Sequence, residues 1–376
     1  MSKRKLTRRE FARKSCCMAA GMLVAAAPVW RTASAVASEQ RCEGRHYKKL
    51  SGGRIQCFVC PLNCILEDGK TCFCQTRTNV GGTLYNFAYN NPCVLNVDPI
   101  EKGPLYHVLP GAQALALGTA GCNLRCLYCQ NWAVSQRRPS QTRNFDLEAR
   151  SIPAYARKKM CRVVSCTYTE PVAFYEYVYD IAAQARGAGL HTHVASAAFI
   201  NPQPMRELCG VADSFTLALK GFNQEFYKKV CGTELAPVLD AMRVVKEQGR
   251  WLEIVTLIIP TLNDDAKSIE DECRWIADNL GANVPLHFAR FYPEHRLKNL
   301  PPTPQSTLEQ ALKIGQEAGL KYVYLANLPG HPANNTYCPG CGKPVVKRVG
   351  LKTLSVDLSN GKCRFCRAPI PGIWTA

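Results

Sequence analysis

Cys122, Cys126 and Cys129, spaced C-x3-C-x2-C, are the residues of this sequence with the most chemistry in them. Three thiolates at that spacing can wrap three corners of a four-iron cubane, and no fourth cysteine stands at a fixed nearby position. Held at three corners, such a cubane keeps one iron open to the amino and carboxylate groups of a substrate, into which it can pass one electron. The competing reading is a zinc ion completed by a remote fourth ligand.

The chain has 376 residues and 21 cysteines, which poses a choice between a disulfide framework and metal thiolates. Spacing decides it. Ten cysteines fall in tight groups, and neighbours two or three residues apart converge on one metal more readily than they pair as unstrained disulfides. Cys338 with Cys341 and Cys363 with Cys366 form two C-x2-C knuckles of zinc-ribbon or rubredoxin-like character. Zinc and a single iron share tetrahedral four-sulfur geometry, so sequence does not separate them; zinc is the default because no redox role is evident. Cys57, Cys60 and Cys64 with Cys72, or with Cys74 in its place, form a second group that could hold zinc or an auxiliary cluster. Cys42, Cys93, Cys161, Cys166, Cys209, Cys231 and Cys273 stand outside any tight group and read as small core residues.

These cysteines need elements to position them. From Gln113 onward, β-branched runs alternate with amphipathic helical patterns. The strand candidates are Gln113–Ala120, Arg162–Tyr168, His191–Ala197, Ser214–Lys220, Trp251–Pro260, Pro285–Tyr292 and Lys321–Asn327. The clearest helices are Val172–Gly189, Pro237–Gly249, Lys267–Leu280 and Thr307–Gly319, with glycines at their ends as C-caps favour. Such alternation predicts an α/β fold with a parallel sheet and right-handed crossovers. Six or seven units point to a partial (β/α)6-type barrel, and no G-x-G-x-x-G follows the first strand, which argues against a dinucleotide fold. The Cys122 loop then falls at the C-terminal mouth of the first strand, where barrels of parallel strands keep their chemistry. The expected organisation is a leader over 1–35, an irregular Cys-rich segment over 36–112, the barrel over 113–330 and a four-cysteine metal-binding tail over 331–376.

The leader has paired arginines (Arg8, Arg9), then Phe11 and Lys14, an uncharged stretch from Ser15 to Trp30, and Ala33-Ser34-Ala35. This resembles a twin-arginine export signal, too short for a membrane span. It predicts export of a protein already folded around its metals and no stable membrane anchor; a cytoplasmic location is the alternative. Cys16 and Cys17 lie in this leader. The net charge of +18 is partly local, since residues 1–35 hold eight basic residues against Glu10 alone. The remaining excess is spread thinly, without basic runs interleaved with aromatics, so nucleic acid is not an expected partner.

The stretch A-L-G-T-A-G-C-N-L-R-C-L-Y-C-Q-N-W, with Tyr128 just before its last cysteine, resembles the signature of the radical SAM superfamily. The resemblance implies a [4Fe–4S] cluster on Cys122, Cys126 and Cys129. It implies reductive cleavage of S-adenosylmethionine to methionine and a 5′-deoxyadenosyl radical, which abstracts hydrogen from a protein or small-molecule substrate. It further implies a low-potential electron donor of flavodoxin or ferredoxin type, and a place beside the cofactor for Tyr128. T-Y-T-E-P stands where superfamily members carry a Gly-Gly-Glu-type motif against the amino group of S-adenosylmethionine, so Glu170 takes that role; Tyr168 and Thr169 replace the two glycines. A solvent-facing acid at a helix start is the alternative.

A closer resemblance runs through C-x2-C-P-L-N-C, G-G-T-L-Y, V-D-P-I-E-K-G-P-L-Y-H, E-P-V-A-F-Y-E-Y, P-L-H-F-A-R-F-Y-P and N-T-Y-C-P-G-C-G, in that order. These motifs, over roughly residues 50–370, are similar to those of the AmmeMemoRadiSam system radical SAM enzymes, a branch akin to pyruvate formate-lyase activating enzymes. The chain departs from relatives in having Ser196-Ala197-Ala198 in place of T-N-G and Ala218-Leu219-Lys220 in place of D-L-K. Lys220 is then a carboxylate-binding cation at the barrel mouth or a solvated strand end. His287 and Arg290 lie three apart on one strand and must point to opposite faces; Arg290 is favoured for the lumen, against an anionic ligand group, with a structural ion pair as the alternative. Other readings of the whole chain are an activase that installs a glycyl radical on a partner, and an iron–sulfur electron-transfer protein.

Overall fold

The seven apolar runs become seven strands because each presents a buried face on both sides, a pattern that parallel sheets between helices demand. The computed structural model describes residues 41–375, so the leader with Cys16 and Cys17 lies outside the described residues. One sheet of eight strands dominates: β1 (Val94–Pro99), β2 (Gln113–Gly118), β3 (Val163–Cys166), β4 (His191–Ser196), β5 (Ser214–Ala218), β6 (Trp251–Ile258), β7 (Leu286–Arg290) and β8 (Val323–Ala326). They lie side by side in chain order, from β8 at one edge to β1 at the other. Strands β2 to β8 are parallel, while β1 is antiparallel to β2. All seven expected strands are present, each ending a residue or more short of its predicted bounds at one end or both. Strand β1 had no expectation. It alternates weakly, is half-exposed and ends at Pro99, as edge strands do.

Helices α1 (Ile152–Lys158), α2 (Tyr175–Gly187), α3 (Pro202–Val211), α4 (Ala236–Glu247), α5 (Ala266–Asn279) and α6 (Gln305–Glu317) connect the parallel strands. Helices α2, α4, α5 and α6 match the predicted ones; α1 and α3 are short and carry a proline in their first two positions, which the periodicity alone did not mark. Alternation along each strand divides the side chains. Leu115, Leu117, Phe215, Leu217, Ile254 and Phe288 are fully buried in the core on one face. Each contributes roughly 1.5–3 kcal/mol by leaving water. The other face carries small side chains, among them Ala114, Ala116, Ala195, Ala218 and Ala289, and these leave a cavity.

The segment before β2 is not irregular, contrary to the expectation. Strands of two to four residues build two three-stranded antiparallel sheets, Cys42–Glu43 with Thr83–Asn86 and Arg77–Val80, and Tyr47–Lys49 with Ile55–Cys57 and Ile65–Leu66. Elements that short cannot stand alone. Their anchor is ionic: Arg77, 1% exposed, grips Glu176 of α2 with Nη1 to Oε1 at 2.9 Å and Nη2 to Oε2 at 2.7 Å. Asn86 Nδ2 adds a third bond to the same carboxylate at 2.7 Å.

Beyond β8, strands β9 (Pro344–Val349) and β10 (Lys352–Val356) form a hairpin that shares a core with the body, through Tyr106, Tyr324, Val345 and Val346. Buried Arg348 ties it down, with Nη2 donating to the Tyr106 carbonyl at 2.6 Å and Nε 3.8 Å from Glu101. No helix among the described residues is long and apolar enough to cross a membrane.

Candidate functional site

The small inner side chains of β2 to β8 surround one cavity of about 790 Å³, the size of sites that enclose a whole small ligand. The loops after β2, β3, β4 and β5 cover one end of it. The turn Gly350–Leu351 between β9 and β10 joins the segment Asp98–Pro104 in closing it where β1 and β8 do not pair.

Cys122, Cys126 and Cys129 all line this cavity, on the loop after β2. Backbone hydrogen bonds fix the loop from both sides. The Cys122 N–H donates to the Cys74 carbonyl at 3.2 Å, while Arg125 and Leu127 donate to the carbonyls of Cys231 and Val230 at 2.9 Å each. Gly121 is required here: its φ is +92°, and a Cβ would stand 2.5 Å from the Cys74 oxygen. The loop also supplies donors to sulfur, Leu124 N–H to Cys122 Sγ at 3.3 Å, and Ser135 Oγ lies 3.3 Å from Cys129 Sγ. A hydrogen bond from the Cys231 thiol holds the Cys126 thiol down at about 7 against burial, and Lys220 acts in the same direction. Burial pushes the Cys122 and Cys129 thiols up. Cys231 is therefore more than the core filler its isolated position suggested. No sequence signal could have found it, because the contact spans about a hundred residues.

Glu170 lines the cavity at 2% exposure and is not a solvent-facing helix-start acid. Its Oε1 accepts from Ser196 Oγ at 2.6 Å and from the Val172 N–H at 3.2 Å, and its Oε2 accepts from the Ala197 N–H at 2.8 Å. Burial raises its pKa, with the Ser196, Ala197 and Val172 hydrogen bonds and Lys220 opposing that rise. Ser196 and Ala197, which read only as departures from a relative's pattern, thus hold the carboxylate in place. Tyr168 adopts φ +66°, a conformation that glycine takes freely and that costs a tyrosine roughly 1–2 kcal/mol. Its hydroxyl, bonded to Asp98 and Asn96, secures it there.

Tyr128 and Lys220 also line the cavity. Tyr128 is 5% exposed, with its hydroxyl 3.7 Å from Cys231 Sγ; Lys220 is half-buried near Cys126 and Glu170. Arg290 is not brought to the cavity. Ala289 faces it instead, so the alternation of β7 turns Arg290 away, where Nε donates to the Thr303 carbonyl at 2.8 Å. This corrects the expectation for Arg290. His287, in register with Ala289 on the same face, is fully buried and bonds Glu253 at 2.7 Å. Glu253 also accepts from the N–H groups of Tyr106 and His107; burial pushes its carboxyl up, but the hydrogen bond and charge of His287, the charge of His107 and the Tyr106 N–H hold it low, at about 2.

Away from the cavity, Cys338, Cys341, Cys363 and Cys366 converge: their sulfurs all lie within 4.8 Å of one another, the one such group among the described residues. Cys338 to Cys366 measures 3.4 Å and Cys341 to Cys363 3.8 Å, edge lengths that suit a tetrahedron of thiolates on one ion. Cys57, Cys60, Cys64, Cys72 and Cys74 gather around a second, small pocket. None of the described cysteines is in a disulfide.

Residues 117–273, which hold the three-cysteine loop, Glu170, Ser196 and Lys220, match the model of the radical SAM superfamily. An uncharacterized protein of Methanocaldococcus jannaschii is 39% identical over 326 residues, covering 86% of this chain and 97% of that protein. The pyruvate formate-lyase-activating enzyme of Staphylococcus epidermidis is 25% identical over 171 residues, 43% of this chain and 67% of that one. The structure of Streptococcus suis SuiB bound to S-adenosylmethionine aligns with a TM-score of 0.46 at 12% identity, covering 61% of this chain and 53% of that one. The chain belongs to the radical SAM superfamily and is an enzyme of that class.

Proposed function

We propose that this enzyme binds a [4Fe–4S] cluster through Cys122, Cys126 and Cys129 and cleaves S-adenosylmethionine in the cavity beside it. The observation that carries the reading is the meeting of those three thiols with buried Glu170 and with Lys220 on one cavity wall. The donor set fits a cubane. Its sulfurs are not drawn within 4.8 Å of one another as the tail sulfurs are, and a cluster that offers separate iron corners needs its thiolates further apart than a single ion does.

When bound, the cluster and S-adenosylmethionine supply a 5′-deoxyadenosyl radical for hydrogen abstraction. The chain's residues do the rest. Glu170, oriented by Ser196 and Ala197, accepts from the ammonium of S-adenosylmethionine. Lys220 pairs with its carboxylate, and Tyr128 walls the cluster side. The β2 to β8 face, with Leu351 of the tail, keeps water from the reacting groups. A low-potential carrier of flavodoxin or ferredoxin type supplies the electron.

The sheet reads as a partial (β/α)6-type barrel and the tail as a zinc ribbon. Of the radical SAM branches, the motif order fits the AmmeMemoRadiSam system best, with a protein or small molecule as hydrogen donor and export by the twin-arginine-like leader. A glycyl-radical activase is a second reading, favoured by the likeness to the pyruvate formate-lyase-activating enzyme. Electron paramagnetic resonance of the dithionite-reduced protein tests the core of the reading. Adding S-adenosylmethionine should change the cluster signal; an unchanged signal would place the cofactor elsewhere.

A further inference from the structure

The five cysteines of the N-terminal sheets stand outside the catalytic cavity, and their arrangement has its own logic. All five thiols line one small pocket, yet no three of the five sulfurs lie within 4.8 Å of one another. The tail quartet shows how closely four cysteines of this chain can gather. The N-terminal set shares instead the wider spacing of Cys122, Cys126 and Cys129. Its pocket is also lined by Arg77, whose terminal nitrogens are both spent on Glu176 and whose buried Nε–H has no partner. An unspent donor beside thiolates and inorganic sulfides is a common means of stabilising a reduced iron–sulfur cluster.

We propose that this pocket holds an auxiliary [4Fe–4S] cluster, on Cys57, Cys60, Cys64 and Cys74, that passes electrons to the catalytic centre. Cys74 rather than Cys72 is the fourth ligand, because Cys74 is the one whose backbone meets the loop of the catalytic cysteines. Cys74 is also the link. Its carbonyl accepts the Cys122 N–H at 3.2 Å, so two cysteines that ligate different clusters are joined by a peptide hydrogen bond. Gly121 permits this approach, since any side chain there would strike the Cys74 oxygen. Exposed Phe73 and Ile65 lie beside the ligands and offer an apolar landing for a carrier protein. The transfer is one electron: a reduced flavin or iron–sulfur carrier protein is oxidised, the auxiliary cluster is reduced, and it is reoxidised as the electron moves to the catalytic cluster.

The site rests on residues independent of the catalytic reading, whereas the relay assumes it. Full-length Cys122→Ala/Cys126→Ala/Cys129→Ala protein, reconstituted anaerobically with ferrous iron and sulfide, should retain about four acid-labile sulfides per chain, half the wild-type content. The tail ion contributes no sulfide, and this result does not depend on whether the enzyme cleaves S-adenosylmethionine. Cys72→Ala should keep both clusters, while Cys57→Ser/Cys60→Ser should lose the auxiliary sulfide and keep the S-adenosylmethionine-sensitive resonance of the other cluster. That variant, reduced by flavodoxin instead of dithionite, should reduce its remaining cluster severalfold more slowly than wild type. Absence of sulfide from the triple variant, or zinc in its place, overturns the site. Equal reduction rates by flavodoxin overturn the relay.

Discussion

The hydroxyl of Ser196 donates to Oε1 of Glu170 at 2.6 Å, joining the end of β4 to the loop after β3 across 26 residues. With the Ala197 N–H on the other oxygen, the carboxylate is oriented from both sides before any ligand arrives. Prior orientation of this kind lowers the cost of binding.

Glu170→Ala should leave the catalytic cluster assembled but weaken S-adenosylmethionine binding by about 1.5–3 kcal/mol, the value of a hydrogen bond to a charged group. Ser196→Ala, which removes one of three donors to the carboxylate, should weaken it by about 1 kcal/mol. Calorimetric titration of the reconstituted protein measures both. Unchanged affinity in Glu170→Ala would place that residue outside the cofactor site.

Glu272 of α5 predicts a pH effect on stability. Burial raises its carboxyl to about 8 from an ordinary 4.5, and the Thr256 hydroxyl is its hydrogen-bond partner. Between those two values the folded state holds a proton that the unfolded state has lost. The group's stabilisation is thus full below about pH 4.5 and disappears as pH rises toward 8. Glu272→Gln keeps the shape without the titration. In thermal unfolding, its advantage over wild type should grow from pH 5 to pH 8; a constant difference would show that Glu272 is not held protonated.

A metal on the tail quartet would be a separate matter from either proposed cluster. Cys341→Ser should lower metal content by about one ion per chain without changing acid-labile sulfide. It should also make the β9–β10 hairpin more open to protease, because the knuckles would no longer add to the hold that Arg348 and the core shared with Tyr106 and Tyr324 give it. Since Leu351 lines the cavity, S-adenosylmethionine binding should weaken too. Unchanged metal content would mean that the four sulfurs do not share an ion.

What the sequence made legible follows from how local each signal is. The strands β2 to β8 are runs of β-branched and apolar residues buried on both faces, so period and composition located them without tertiary information. The N-terminal strands are two to four residues long, rich in turns, and held by Arg77 reaching Glu176 a hundred residues away; no local pattern encodes that. Within the site, the cysteine loop and Glu170 were legible through spacing and motif. The donors Ser196 and Ala197 were not, since a serine and an alanine carry no chemical label until the fold brings them to a carboxylate. The error at Arg290 came from judging a face by chemical plausibility, when the one-residue phase of β7 was what decided it.

The central claim is that Cys122, Cys126 and Cys129 make this cavity a site of S-adenosylmethionine cleavage. The most direct measurement is 5′-deoxyadenosine release by full-length protein reconstituted anaerobically, reduced with dithionite and given S-adenosylmethionine. Wild type should release it, and Cys126→Ala should release none, because two thiolates leave the cluster labile. No release from wild-type protein with its clusters assembled, or undiminished release from Cys126→Ala, would contradict the account.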